Sequence, residues 1–236
     1  MAMNKNNNGF LTPIITDFTF LPKGVGSYFV FYDIKFYQDK LYNDYNIHLP
    51  EKIRESVIKR RAEFFSGRLC ANMAMNLLGF FNKQVAVSSA RVPLWPEGLI
   101  GSISHTDNRA IAVVAHVDNL TLIGVDLEIR NPEVFISIAD QFTSTQEQIY
   151  LQTTEMPYDL ALLITFSAKE SLYKALWPEV NAFFDFSAAA IINIDINTQK
   201  FHLRLTTSLT NKFQSGTVFS GNYCLFEENV ITLIAN

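Results

Sequence analysis

Apolar and polar positions recur along this chain with two periods, which separate predicted helices from predicted strands. The longest helical pattern covers residues 51–79 and ends at Gly79. Its apolar stripe, at steps of three and four, consists of Ile58, Ala62, Phe65, Leu69, Met73 and Leu77. Two further helical stretches cover about 132–152 and 158–177, and Pro178 is expected to stop the second.

Strand patterns, rich in aromatic and β-branched residues, fill most of the remaining chain. They cover residues 26–36, 85–99 (running into a loop), 100–104, 109–117, 121–128, 188–195, 200–206, 216–220 and 222–226. Because the helices cluster rather than alternate strictly with strands, the pattern predicts an α+β fold. It also predicts two similar halves meeting near residue 120, an N-terminal half over 10–120 and a C-terminal half over 121–236.

The composition describes a globular chain, since 48% of the 236 residues are hydrophobic and only 18% are charged. A net charge of −4 argues against nucleic acid as a partner, so any anion site must be built locally. No apolar run reaches the ~20 residues of a membrane span, and the Asn-rich start lacks the apolar core of a signal peptide. Two cysteines, Cys70 and Cys224, favour reduced thiols in a cytoplasmic protein, with a single disulfide as the alternative.

Two acids on one predicted strand are candidates for a cation site. Asp126 and Glu128 are two residues apart, so their carboxylates share a face and repel each other unless a cation lies between them. Oxygen ligands of this kind suit Mg²⁺. Ordinary surface acids are the alternative interpretation, although the apolar stretch 122–125 places the pair at the end of a buried strand.

A third acid lies on the last predicted helix. Glu170 and Lys174 are four residues apart and are therefore neighbours on one helix face. A surface ion pair, or a capping box that starts at Ser167, explains them equally well. The surrounding residues favour a cleft, because they are mostly apolar: Phe166, Ala168, Leu172, Tyr173 and Ala175.

Basic residues in the first half are candidate anion ligands. His105 follows Ser104 at a strand end and can bind phosphate, although a lone histidine is more often structural. The arginines of the first helix suit phosphate clamping, with a solvated charged face as the alternative. Arg61, seven residues before Arg68, is its natural partner by helical spacing, whereas Arg60 lies about 80° around the helix from Arg68.

Together and in order, these pieces resemble the phosphopantetheinyl transferases, specifically the enterobactin-synthetase type within the Sfp-like group. The matching text is Arg60-Arg61-Ala62-Glu63-Phe64 through Gly67-Arg68, Arg91-x-Pro93-x-Trp95-Pro96-x-Gly98, Gly101-Ser102-Ile103-Ser104-His105, Gly124-Val125-Asp126-Leu127-Glu128, and Phe166-Ser167-Ala168-Lys169-Glu170 to Lys174-Ala175. The resemblance covers roughly residues 45–180, and the only departure is Val125 where the family usually has isoleucine.

The resemblance implies a magnesium-dependent transferase, with Mn²⁺ as a substitute metal. Such enzymes move the 4′-phosphopantetheine arm of coenzyme A onto a serine of an acyl or peptidyl carrier protein and release 3′,5′-ADP. The expected setting is nonribosomal peptide, polyketide or siderophore synthesis by a cytoplasmic monomer. The resemblance also implies a pseudo-twofold pair of α/β halves with the active site in the cleft between them.

The resemblance also implies a role for each candidate residue. Asp126, Glu128 and Glu170 would ligate the metal together with the coenzyme A pyrophosphate, and Lys174 would neutralise charge on the α-phosphate side. Glu170 would also take the serine proton, directly or through a metal-held water. The phosphates of coenzyme A would be held by Arg60 (preferred, with Arg61 left open), Arg68, Arg91, Ser104 and His105, with a smaller part for Lys169.

Two alternatives to this function remain. One is a non-catalytic module that binds coenzyme A or a carrier protein, which a degenerate set of acids would indicate; this chain keeps Asp126, Glu128, Glu170 and Lys174. The other is a housekeeping enzyme for the fatty-acid carrier, against which the length of the chain argues. Carrier docking is expected near three apolar residues after the Asp-x-Glu strand, whose alternative role is core packing: Phe135, Ile136 and Phe142.

Overall fold

The computed structural model of the chain describes residues 9–14, 20–88 and 92–236. The chain divides into two compact units, residues 1–121 and 122–236. Each unit combines antiparallel strands with one long helix, which confirms the predicted α+β class. The placement of an active site between the two halves stays a prediction.

In its described residues, 9–14, 20–88 and 92–121, the first unit carries six strands and three α-helices. The strands are β1 (Leu11–Ile14), β2 (Val25–Tyr32), β3 (Ala86–Val87), β4 (Pro93–Leu94), β5 (Leu99–His105) and β6 (Arg109–His116). The helices are α1 (Lys40–Asp44), α2 (Glu51–Arg54) and α3 (Ile58–Leu77). Four strands form one antiparallel sheet in the order β1-β2-β6-β5, and β3 pairs with β4. Helix α3 packs across β2, β5 and β6.

The single helix predicted over 51–79 is wrong, because the chain breaks between α2 and α3. Val57 has an extended backbone at the start of α3, and the hydroxyl of Ser56 bonds the carbonyl of Lys52. Such side chain-to-backbone bonds compete with helical continuation. The predicted apolar stripe is buried in its middle, but its ends Ile58 and Leu77 are exposed.

The predicted strand 26–36 is also too long, because Ile34–Phe36 forms a 3₁₀ turn capped by the Asp33 carboxylate.

The second unit carries four helices and five strands. The helices are α4 (Pro132–Ser137), α5 (Ala139–Phe142), α6 (Thr145–Gln152) and α7 (Tyr158–Val180). The strands are β7 (Ile123–Ile129), β8 (Ala189–Asp195), β9 (Lys200–Leu205), β10 (Val218–Phe226) and β11 (Asn229–Ala235). They form one antiparallel sheet in the order β7-β11-β10-β9-β8, and α7 packs mainly on β7 and β11.

Two helix boundaries in the second unit differ from the sequence prediction. The stretch 132–152 is three short helices, of which α6 begins with a capping box between Ser144 and Glu147. Helix α7 continues through Pro178 to Val180 and ends where Asn181 adopts a left-handed backbone with φ of 48°. Since Pro178 lies in the last turn, its missing N–H removes only one helical bond.

Two strand predictions also change. The predicted strands 216–220 and 222–226 are one strand, β10, and β11 was not predicted.

Strand β8 lies at the edge of the five-stranded sheet, and side chains of α6 bond its backbone. Glu147 Oε1 accepts a hydrogen bond from the Ile191 N–H at 2.9 Å, and the Tyr150 hydroxyl oxygen accepts one from the Ile194 N–H at 2.8 Å. Two edge donors are therefore satisfied by α6 rather than by another strand.

The composition also led to predictions about the two cysteines and about membrane-spanning segments. Cys70, which is buried, and Cys224, which is half-buried, are both free, as expected for reduced thiols. In the described part of the chain, no helix has the length and apolar character that crossing a membrane requires.

Candidate functional site

The second unit brings Asp126 of β7 together with Lys174 of α7. The Lys174 ammonium donates a hydrogen bond to Asp126 Oδ1 at 2.7 Å. Asp126 is only 3% exposed, and the Lys174 side chain is about a quarter exposed, at 26%. A buried carboxylate therefore meets a cation that still reaches solvent.

Glu128 and Glu170 belong to the same electrostatic group. Burial raises the pKa of Glu128 well above its ordinary value, and the charges of Asp126 and Glu170 raise it further. Burial likewise raises the pKa of Glu170, with Asp126 as the next cause, while Lys174 opposes both shifts. The charge of Asp126 opposes ionisation of both glutamates, and this repulsion favours binding of additional positive charge.

Close packing of α7 on the sheet positions this group. A Cβ atom at Gly124 would lie 2.0 Å from the Ser171 carbonyl oxygen and 2.7 Å from the Ala175 nitrogen. Only glycine therefore permits this approach, and it sets β7 directly against the turn of α7 that carries Glu170 and Lys174. The requirement for glycine at this point is steric rather than conformational.

Three buried hydroxyl groups fix α7 to the neighbouring strand β11. The hydroxyl oxygens of Ser167 and Thr232 are 2.8 Å apart, and those of Ser171 and Thr232 are 2.6 Å apart. Ser171 also donates to the Thr232 carbonyl at 3.0 Å. Thr232 is the ladder partner of Asp126, so this network holds the helix at the level of the acids. Ser167 lies inside α7, which rules out the capping-box interpretation.

A mostly apolar pocket of about 180 Å³ opens beside Glu170. It is lined by Lys169, Glu170, Leu172, Tyr173, Ala189 and the segment 183–186, which we call the aromatic wall. The rings of Tyr173 and Phe184 pack with centroids 4.9 Å apart, and those of Phe166 and Phe186 are 5.3 Å apart. A flexible, weakly polar chain would fit such a lining.

Lys169 differs from Lys174, although both were candidate ligands of coenzyme A. Its ammonium is buried and bonds Glu147 Oε1 at 2.8 Å, the Phe142 carbonyl at 2.7 Å and the Phe186 carbonyl at 3.1 Å. Burial lowers the pKa of Lys169, and the Glu147 charge opposes that shift. Because an ammonium donates three hydrogen bonds, these partners use its full capacity.

In the first unit, Arg60 and His105 meet at Glu63. Arg60 Nη1 donates to Glu63 Oε2 at 3.3 Å and lies 3.2 Å from His105 Nε2. His105 Nδ1 lies 4.0 Å from the same carboxylate oxygen. The Arg60 side chain is 45% exposed, so its guanidinium remains accessible to an anion. Glu63 was not among the predicted site residues, although it lies within the matching motif and three residues after Arg60.

Arg61 contacts Asp39 and not the group formed by Arg60, His105 and Glu63. Its Nη1 donates to Asp39 Oδ2 at 2.6 Å, and its carbonyl accepts a bond from the Tyr42 hydroxyl at 2.7 Å. Tyr37 donates to the other oxygen of Asp39 at 2.8 Å. This arrangement ties α3 to the α1 region and favours Arg60 in the open choice between the two arginines.

Arg68 is a buried cation on α3. Its guanidinium lies 4.5 Å from the ring centre of Phe64, and its Nη2 donates to the Ala86 carbonyl at 3.4 Å. Burial lowers the pKa of Arg68 to about 10, with the Arg60 charge as the next cause, so it stays charged at neutral pH.

Two other predicted phosphate ligands are not placed with Arg60 and His105. Ser104 is buried, and the alternation of a strand turns it to the opposite face of the sheet from His105. Arg91 lies outside the described residues. Both remain predictions as ligands of coenzyme A.

The expected carrier-docking residues separate into core and surface. Phe135 and Phe142 are buried in the second unit's core, so the docking prediction is wrong for them. Ile136 is 52% exposed, and its docking role stays a prediction.

Comparison with known proteins gives two family matches along this chain. Residues 49–115 match the 4′-phosphopantetheinyl transferase N-terminal domain, and residues 122–230 match the 4′-phosphopantetheinyl transferase superfamily. These segments contain the Arg60–His105 group and the Asp126–Lys174 group, respectively.

Two relatives among characterised proteins are consistent with these family matches. The chain is 32% identical over 206 residues to the 4′-phosphopantetheinyl transferase Npt of Nocardia iowensis, covering 81% of this chain and 90% of that protein. It is 34% identical over 154 residues to enterobactin synthase component D of Salmonella typhi, covering 65% of this chain and 63% of that protein. The match therefore spans just under two thirds of the enterobactin synthase component.

A solved structure, the Thermotoga maritima holo-[acyl-carrier-protein] synthase, aligns with a TM-score of 0.37 at 17% identity over 49% of this chain and 62% of that chain. That likeness is too weak to define the fold. The two family matches and the Nocardia relative are sufficient without it: the chain belongs to the 4′-phosphopantetheinyl transferase superfamily.

Proposed function

We propose that this protein transfers the 4′-phosphopantetheine arm of coenzyme A to a serine of an acyl or peptidyl carrier protein, for nonribosomal peptide, polyketide or siderophore synthesis. The observation that carries the proposal is the group formed by Asp126, Glu128, Glu170 and Lys174 on β7 and α7. Family membership supports the same reaction. A non-catalytic module is not favoured, because all four side chains are retained.

The reaction breaks one phosphoanhydride bond. The carrier serine oxygen attacks the phosphorus that bears the pantetheine arm, a new phosphoester bond forms, and 3′,5′-ADP leaves with the electron pair of the broken P–O bond. Glu170 is the proposed general base for the serine proton, since it is half-buried beside the pocket and its pKa is raised by burial. Lys174 would neutralise charge that develops on the leaving phosphate.

We propose Asp126, Glu128 and Glu170 as the residues that hold Mg²⁺. Within the described residues, no three acidic, histidine or cysteine side chains already form a ready metal-binding group. The donor chemistry nevertheless fits, because burial and the Asp126 charge raise the pKa of both Glu128 and Glu170, and Mg²⁺ prefers oxygen ligands. Bound Mg²⁺ would neutralise charge on the pyrophosphate, and Mn²⁺ is the expected substitute.

We assign the 3′-phosphate of coenzyme A to residues of the first unit and its pantetheine arm to the pocket of the second unit. A 3′-phosphate would be bound by the exposed guanidinium of Arg60, the buried guanidinium of Arg68 and the imidazole ring of His105. The apolar pocket beside Glu170 suits the pantetheine arm, whose atoms are mostly methylene, methyl and amide groups. We expect a monomer, and the free thiols of Cys70 and Cys224 support a cytoplasmic location.

The test is intact-mass spectrometry of apo carrier proteins incubated with the enzyme, coenzyme A and MgCl₂. The panel contains peptidyl, polyketide acyl and fatty-acid acyl carriers. A gain of the phosphopantetheine mass on at least one carrier, with release of 3′,5′-ADP, is expected. A Ser→Ala carrier is the matched control. No mass gain on any carrier would remove the proposed function.

A further inference from the structure

A buried ion pair includes Lys169, one of the residues that line the pocket beside Glu170. Lys169 and Glu147 are both inaccessible, with side chains 3% and 6% exposed, and their charged atoms are 2.8 Å apart. Burying two charges carries a large desolvation cost, which is offset only when the remaining hydrogen-bonding capacity is used. The segments that this pair connects are therefore the key to its role.

Glu147 connects α6 to the sheet. Its Oε2 accepts hydrogen bonds from the Ser144 backbone N–H at 2.8 Å and the Ser144 hydroxyl at 3.0 Å. Its Oε1 accepts one from the Ile191 N–H of β8 at 2.9 Å. The carboxylate thus joins the start of α6, the edge strand β8 and helix α7.

Lys169 connects α7 to the pocket lining. Its bond to the Phe186 carbonyl holds the last residue of the aromatic wall, and its bond to the Phe142 carbonyl holds the end of α5. The ring of Phe186 packs against Phe142 and Phe166, with centroids 6.2 Å and 5.3 Å apart. Moving the Lys169 ammonium would therefore release one side of the pocket.

We propose that Lys169 and Glu147 act as a positioning pair that shapes the pocket beside Glu170 and so sets affinity for the pantetheine arm. Lys169 then acts through the aromatic wall and not by contact with a phosphate of coenzyme A. This inference rests on the proposed function, because it takes the pocket to be the site of the arm.

The two roles of Lys169 predict different effects of a change at Glu147. If Lys169 acts through the wall, Glu147→Gln leaves a buried ammonium without its counter-charge and disturbs the same wall as Lys169→Met. If Lys169 contacts a phosphate, Glu147→Gln removes a competitor for that ammonium and does not weaken coenzyme A binding. The shape of glutamine is close to that of glutamate, so this variant also perturbs folding least.

The experiment is isothermal titration calorimetry of coenzyme A and of 3′,5′-ADP, which lacks the arm, against the full chain in MgCl₂. The proteins are wild type, Lys169→Met, Glu147→Gln and the double variant. Lys212→Met serves as the control, because it breaks an exposed ion pair to Glu179 in the same unit. Each single change is expected to raise the Kd of coenzyme A by about tenfold, or ~1.4 kcal/mol. The Kd of 3′,5′-ADP should stay within about twofold, and the double variant should bind coenzyme A no more weakly than the worse single variant.

Two results would overturn the positioning role. One is an equal loss of affinity for both ligands in Lys169→Met, and the other is unchanged coenzyme A binding in Glu147→Gln. The second result decides the matter alone if Lys169→Met does not fold. Failure of the underlying function is distinguishable, because it would appear in the wild-type protein itself, as no mass gain on any carrier or as no binding of coenzyme A and 3′,5′-ADP.

Discussion

The ammonium of Lys174 lies 2.7 Å from Oδ1 of Asp126 and so joins helix α7 to strand β7. The contact links residues 48 positions apart in the chain. It places one positive charge on the most buried of the three acids in the site. Any cation that binds the carboxylates therefore shares Asp126 with an internal ammonium.

Replacing Asp126 should abolish transfer while leaving the chain folded. We expect Asp126→Ala to lower kcat/KM by at least ~10²-fold, the scale expected when a group that stabilises developing charge is removed. The stability cost should be about 1–3 kcal/mol, since Lys174 loses one charged hydrogen bond but remains partly exposed. Carrier mass spectrometry and thermal unfolding measure the two effects. Asp118→Ala, on an exposed turn, is the control. Full activity in Asp126→Ala would remove this residue from the site.

Removal of divalent metal should stop the reaction. We expect EDTA to eliminate carrier modification and excess MgCl₂ or MnCl₂ to restore it, because three neighbouring carboxylates suit a hard cation. The measurement is the rate of carrier mass gain at each metal concentration, with CaCl₂ as the comparison. Undiminished transfer in EDTA would contradict the metal assignment and leave Lys174 as the main neutralising charge.

Truncation of Arg60 should lower ligand affinity, whereas truncation of Arg61 should lower the stability of the fold. We expect Arg60→Ala to raise the Kd of 3′,5′-ADP by about tenfold or more, the value of a charge-assisted hydrogen bond. Its thermal midpoint should change little, because its side chain is 45% exposed. Arg61→Ala should lower stability by ~1 kcal/mol through the loss of its bond to Asp39, with ligand affinity retained. The opposite pattern would assign phosphate binding to Arg61.

Gly124 should tolerate no side chain. A methyl group there would collide with the Ser171 carbonyl oxygen at 2.0 Å, so Gly124→Ala must push α7 away from β7. We expect a loss of stability of about 1–3 kcal/mol or more, and lower kcat because Glu170 and Lys174 move with the helix. The comparison is Gly216→Ala, where space is open and only the φ of +89° is unfavourable. A smaller cost at Gly124 than at Gly216 would argue against close packing.

The hydroxyl group of Thr232 should contribute more to the free energy of unfolding than the volume of its side chain does. Thr232→Val keeps the shape of the side chain but removes the hydroxyl partner of Ser167, while Ser171 keeps only its bond to the backbone carbonyl of residue 232. We expect a cost of about 1–3 kcal/mol in unfolding free energy, measured by urea titration. Thr232→Ser, which keeps the hydroxyl, should recover most of it. Equal costs for valine and serine would assign the effect to packing.

Local pattern was sufficient to predict the α+β class and the positions of most strands in the sheets. It failed at Ser56 and Val57, where a side-chain hydrogen bond accompanies a break in the helix. It also failed at Pro178, because a proline in the last turn does not end α7. Strand β11 was missed, although its pairing with β7 places Thr232 opposite Asp126. One of its neighbours, β10, directly precedes it in the chain, but the other, β7, opens the unit, and nothing in the seven residues of β11 indicates that second partner.

The candidate site likewise contains residues that local spacing predicted and one residue that it did not. Asp126, Glu128, Glu170 and Lys174 were predictable, because two-residue and four-residue spacings determine which faces they share. Spacing places Lys174, but not Lys169, on the helix face of Glu170, yet it does not show that the Lys169 ammonium is already fully bonded. What separates them is Glu147, which lies on another helix and whose only signal in the sequence was the capping box with Ser144.

Glu147 has a further consequence that concerns solubility. By accepting a bond from the Ile191 N–H, beside the Tyr150 bond to Ile194, it closes the open side of β8 to pairing with a strand of another molecule. The same side chain that holds Lys169 thus also protects the protein against edge-to-edge aggregation. A replacement without an oxygen acceptor, such as Glu147→Ala, would expose the Ile191 N–H, so aggregation during expression is a hazard of such variants.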